Sequence, residues 1–99
     1  MLHIINKSPF QTSTLDTCLR MAQPGSALLL IEDGIYAATS GSATEARMRE
    51  ACAKLKVYAL GPDLEARGVV GKLLDGVTLV DYGGFVDLVE TYDTSHSWL

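Results

Sequence analysis

Cys18 and Cys52 are the side chains of this sequence with the greatest intrinsic nucleophilicity. The thiolate, not the thiol, accepts sulfur, and a cysteine populates it when a helix N-terminus or a neighbouring cation lowers its pKa. Cys18 lies in "STLDTCLRM", about a turn into a helical pattern, and is therefore a candidate sulfur acceptor. The same residue shares a stripe with Leu15, Leu19 and Ala22 at i, i+3, i+4, i+7, where cysteine serves as a small hydrophobe. At that depth the helix dipole has begun to fade, and Arg20 points to another face, so packing outweighs reactivity. Cys52 is weaker still, because it falls late in a helix whose C-terminal dipole disfavours a thiolate. The two cysteines stand 34 residues apart with no His or Cys companions, which matches no metal-ligand spacing.

Other polar residues offer less. Glu32-Asp33-Gly34-Ile35-Tyr36 follows an apolar run, at the position where open α/β sheets bind ligands. Asp33 could orient a partner group or act as a base, but Asp-Gly is foremost a turn signal. "GIYAATSG", from Gly34 to Gly41, lacks the G-x-x-x-x-G-K-[ST] spacing of a phosphate loop, and "DYGG", Asp81 to Gly84, reads as a strand-to-helix turn. No cofactor is expected. His3 sits within an apolar run and reads as a hydrogen-bonded core imidazole. Trp98, in the tail "TSHSWL" with His96, either docks on its own body or anchors a partner, since Trp is enriched at interface hot spots. Asp33, Gly34, Tyr36 and Trp98 are thus the candidate interface residues. No Ser-His-Asp, paired-carboxylate or Cys-His arrangement can be assembled.

The elements that must position these residues are legible from hydropathy. Leu2–Ile5, Ala27–Ile31, Val57–Leu60 and Val77–Val80 are near-continuous apolar runs, the pattern of strands buried on both faces. Helical stripes lie between them. Thr14–Ala22 is stopped by Pro24-Gly25. Ser42-Ala43-Thr44-Glu45 reads as a capping box ahead of a helix burying Met48, Ala51, Cys52 and Leu55, with Glu45 and Arg49 paired outside. Pro62 and Gly68 bracket a short helix. The last helix follows Gly83-Gly84 and carries Phe85, Leu88, Val89 and Tyr92 on one face. Alternation of this kind predicts an α/β fold: a small, open, mostly parallel four-stranded sheet with flanking helices, in one domain over residues 1–99. So few helices leave a sheet edge and part of one face uncovered, which predicts that other chains supply the cover.

A chain of 99 residues is small, and its net charge of −4 argues against a direct grip on nucleic acid. Ala27–Ile31 is far too short to cross a bilayer. Met1–Ile5 has neither a basic region before it nor a cleavage site after it, so a cytoplasmic protein with reduced cysteines is expected.

"MLHIINKSPF", "LLLIEDGIYAA", "LKVYALGPDLEARG", "VDYGGFVDL" and the terminal "SWL" together resemble the DsrH/TusB family across nearly the whole chain. Members are small subunits of the DsrEFH and TusBCD sulfur-relay complexes. The resemblance implies a DsrE-like, flavodoxin-like fold and a dimer of heterotrimers with DsrE/TusD-like and DsrF/TusC-like sister subunits. A DsrC/TusE-like protein would carry sulfur onward by thiol exchange. The main persulfide cysteine of these complexes belongs to the DsrE/TusD subunit, whose motif is lacking here, so the implied role is structural or auxiliary. A cysteine in the first helix, where Cys18 stands, resembles the DsrH branch; TusB-type chains typically have an apolar residue there. "NKSPF", "EDGIYAA" and "LGPDLEARG" also resemble DsrH more closely. The expectation is therefore a subunit for dissimilatory sulfur oxidation. The alternatives are a TusB-like subunit for 2-thiouridine formation at the tRNA wobble position and a stand-alone sulfurtransferase using Cys18.

Overall fold

Apolar runs become strands here because the centre of the sheet is dry on both faces. Every residue of β1 (Leu2–Ile5) and of β2 (Ala27–Leu30) is buried. A backbone in such surroundings must pair its amides and carbonyls, and a ladder does this with the fewest groups left over. The structure is a computed structural model that describes residues 1–98; Leu99, the end of the "SWL" stretch, lies outside them.

The remaining elements are α1 (Thr14–Met21), a 3₁₀ helix (Glu32–Ala38), α2 (Glu45–Lys54), β3 (Lys56–Leu60), α3 (Gly61–Ala66), a short second 3₁₀ turn (Val70–Lys72), β4 (Val77–Val80), α4 (Tyr82–Thr91) and β5 (Ser95–Trp98). The strands stand in the order β4-β3-β2-β1-β5, and all neighbours are parallel. The α/β class and the parallel sheet agree with the sequence. The strand count does not, because Ser95–Trp98 forms a fifth strand beside β1 rather than a free tail.

The first three crossovers step along the sheet in one direction, and the fourth returns to the opposite edge. One crossover hand therefore puts α1, α2 and α3 on one face and α4 on the other. The cores follow this division. Leu15, Cys18, Met48, Leu55 and Leu64 pack with Ile5, Leu28, Leu30, Val57 and Ala59 on the first face, joined by Ile35, Ala37 and Ala38 of the 3₁₀ helix. Leu88 and Phe85 of α4, with Tyr92 just after it, meet Leu2, Ile4, Ala27, Leu29 and Tyr58 on the second.

Local signals act with small shifts. The carboxylate of Glu45 accepts from the Gly41 amide at 2.6 Å, so the capping contact reaches one residue beyond the expected Ser42. The Ser42 hydroxyl instead donates to the Thr39 carbonyl. Gly83 and Gly84 lie inside the first turn of α4, where the Asp81 carboxylate accepts from the Gly84 amide at 2.8 Å.

Gly34 is fixed by space. A Cβ at this position would drive into the carbonyl oxygen of Ile5, the same oxygen that accepts from the Ile31 amide. Gly34→Ala must therefore push the 3₁₀ helix off β1. The expected loss is about 1–3 kcal/mol, the usual range for overpacking a tight site. Urea unfolding of the two proteins, compared at equal m-value, measures it.

Candidate functional site

The loops at the carboxyl ends of the strands carry the polar residues singled out in the sequence. The second strand ends at Leu30, and Glu32 turns the chain with φ at 49°, a left-handed conformation that a side chain makes costly. Neighbours hold it there. The Glu32 amide donates to Asp63 Oδ2 at 2.6 Å, and the Asn6 side-chain amide donates to Glu32 Oε2 at 3.3 Å. Asp33 Oδ1 accepts from Arg67 Nε at 3.0 Å, and Nη2 of the same guanidinium completes the ion pair at 3.0 Å. Arg67 also reaches the Asp63 carbonyl, so three connections are tied into one network.

Gly34 and Tyr36 follow within the 3₁₀ helix. Gly34 is buried against Ile5, and Tyr36 is half-buried against the main core. Of the four candidate interface residues, Asp33, Gly34 and Tyr36 share this corner and Trp98 lies elsewhere. Asn6, Asp63 and Arg67 were missed in the sequence. They meet Glu32 and Asp33 from 26 to 34 residues away, and no local pattern marks such pairs.

Connections after β3 and β4 leave toward opposite faces, the place where open sheets form a ligand crevice. The acids beside it are already engaged: Asp63 with the Glu32 amide, and Asp81 with the Gly84 amide. Their lone pairs serve the fold.

Cys18 has no exposed surface and lies among the core residues of the first face. Burial pushes its thiol up to about 11. At neutral pH the thiolate fraction of such a group is on the order of one in ten thousand. A groove of about 730 Å³ runs between α1 and α2, lined by Ser13, Asp16, Arg20, Arg47, Glu50 and Lys54 among others, and Cys18 is not part of its wall. Across the groove Arg47 pairs with Asp16. Burial thus leaves Cys18 without exposed surface and disfavours its thiolate, and of its two readings the geometry favours packing. Cys52 is partly buried, and burial raises its pKa as well. Among the described residues no three His, Cys, Asp or Glu side chains are grouped to hold a metal ion, and no helix is long and apolar enough to cross a membrane.

Trp98 docks on its own body. Its indole Nε1 donates to His3 Nδ1 at 3.1 Å, and the ring stacks on His96 at 4.4 Å between centroids. His3 is buried, as its place in an apolar strand predicts, and its pKa is lowered by burial, then by His96 and the terminal amine.

With this geometry in view, a family model described as "DsrH like protein" matches residues 7–95. The chain belongs to the DsrH-like family. It is 38% identical over 98 residues to the protein TusB of Escherichia coli K12, covering 99% of this chain and 100% of that one. The TusB of Pectobacterium parmentieri matches to the same extent, 38% over 98 residues. Among solved structures, the ychN protein of E. coli superposes with a TM-score of 0.84 over 97% of each chain at 18% identity. A protein of unknown function from Methanobacterium thermoautotrophicum superposes with 0.75 at 17% identity, over 97% of this chain and 95% of that one. At those identities the two structures speak for the fold alone.

Three measurements test these residues. A thiol reagent at neutral pH is expected to label Cys52 in the native protein and Cys18 only on unfolding, read by intact mass and peptide mapping. Because the folded pKa of Cys18 lies above its unfolded value of 9.0, the stability it contributes is complete below pH 9 and fades as pH rises toward about 11. Cys18→Ala is expected to flatten that alkaline decline, with a shallower slope left from Cys52. On the acid side the sign reverses. The folded pKa of His3 is depressed, so stability falls as pH drops below the unfolded value of 6.5. A His3→Leu variant is expected to lose much of that dependence in thermal melts from pH 7 to pH 5.

Proposed function

We propose that this chain is a TusB-like subunit of a cytoplasmic sulfur relay, with a structural rather than a chemical role. In this reading a DsrE/TusD-like sister subunit holds the persulfide, a DsrF/TusC-like subunit completes a heterotrimer that pairs into a hexamer, and a DsrC/TusE-like carrier takes the sulfur onward. The end product is 2-thiouridine at the tRNA wobble position. The carrying observation is the sealed position of Cys18, a packing site that an apolar residue can fill equally well. The similarity to proteins named TusB supports the pathway. It reverses the preference drawn from the sequence motifs, which favoured sulfur oxidation.

The DsrEFH reading keeps two supports. They are the cysteine in α1 and the description of the family model. A stand-alone sulfurtransferase acting through Cys18 has the burial of that thiol against it.

Deleting the gene and measuring tRNA nucleosides by mass spectrometry separates these readings. The expected result is loss of wobble 2-thiouridine, restored by the wild-type chain and equally by Cys18→Ala. Failure of a folded Cys18→Ala protein to restore it would make Cys18 a sulfur acceptor. Intact 2-thiouridine together with lost sulfur oxidation would return the chain to the DsrH pathway.

A further inference from the structure

Among the described residues a single helix covers the second face of the sheet, and that helix has more apolar surface than it buries. Along α4, Leu88 faces the sheet and Phe85 is half-buried beside it. Tyr82, Val86 and Val89, at i, i+4, i+7, form a further stripe, exposed to 62%, 55% and 42%. At 100° per residue the apolar arc spans roughly 160°, well beyond the width that one seam against a core requires. Such a stripe is what a helix presents when it packs on two sides.

Its charge is as distinctive as its hydropathy. All eight Lys and Arg residues of the chain lie between Lys7 and Lys72. Beyond them come Asp75, Asp81, Asp87, Glu90 and Asp93, with no cation among them. Asp87, Glu90 and Asp93 are exposed on or just after α4, and none is in an ion pair among the described residues. The one Lys or Arg within the strands, Lys56, shares this face of the sheet with Tyr58 but sits at the amino end of β3.

We propose that the outer face of α4, centred on Tyr82, Val86 and Val89, is the docking surface for a non-identical protein subunit that presents an apolar seam rimmed by Lys and Arg. The charge decides the occupant. Two copies of this chain packed through the same face would set acid against acid, and like charges across an interface disfavour that pairing strongly. A basic rim on a different chain turns the same charges into attraction and fixes the register of the apolar contact.

The assignment rests on the sulfur-relay reading for its choice of probe, namely the sister subunits themselves. The full-length chain is co-expressed with its DsrE/TusD-like and DsrF/TusC-like sisters, and affinity is measured by titration at low and high salt. Val86→Asp with Val89→Asp is expected to weaken assembly by about tenfold or more, the behaviour of a central contact. Both residues are exposed, so the variant is expected to keep the wild-type melting curve, which confirms that it folds. Asp87→Lys with Glu90→Lys is expected to weaken assembly at low salt and much less at high salt. Assembly of the wild type together with unchanged assembly of the Val86/Val89 variant overturns the assignment of the face and leaves the relay reading standing. A self-associating isolated chain that Val86→Asp returns to monomer also overturns it, by making a second copy the occupant. No assembly of the wild type with either sister removes the relay reading and this surface with it.

Discussion

The dry backbone of β1 and β2 is the constraint on which the rest of the molecule depends. Leu2 to Ile5 and Ala27 to Leu30 have apolar neighbours on both sides of the sheet, so each amide and carbonyl there must be paired within the chain. Parallel pairing then demands crossovers, and the crossovers determine where every helix falls. The close seat of Gly34 on the Ile5 carbonyl belongs to the same constraint. Where the first strand ends, the following turn has no room for a side chain.

The polar corner at the carboxyl ends of the strands looks, by position, like a place for chemistry. Its groups tell otherwise. Asp63 steadies the left-handed Glu32, Arg67 clasps Asp33, and Asp81 caps α4. Carboxylates committed to backbone amides and to a guanidinium organise loops. A corner of this kind gives the molecule a surface of defined shape, while its first-helix thiol is enclosed in the core.

Much of this was legible in the sequence because it is local. The four apolar strands declare themselves by composition, and Leu15, Cys18 and Leu19 declare their helix face by spacing. The fifth strand did not, because "SHSW" is polar, exposed at an edge and defined by its pairing with β1. Only the alternation of His96 and Trp98 with two serines hints at it. The stretch from Glu32 to Ala38 read as a turn and a small-residue loop, since Asp-Gly carries no helical signal; it closes into a 3₁₀ helix by packing Ile35, Ala37 and Ala38 into the core. The contacts of Asn6, Asp63 and Arg67 were invisible for the same reason, being products of the fold. Motif resemblance identified the family, yet its preference between branches rested on three short motifs and on a cysteine that the core has absorbed.

The bond between His3 and Trp98 joins residues 95 positions apart. Bringing such distant segments together carries the largest ring-closure entropy of any pairing in the sheet, and the reward is one short, mostly polar edge strand. Loop-closure entropy therefore favours making this pairing after β1 has found β2, when the chain between its two ends is already drawn together. Until it forms, one whole flank of the first strand is open, and the sheet lengthens in one direction only.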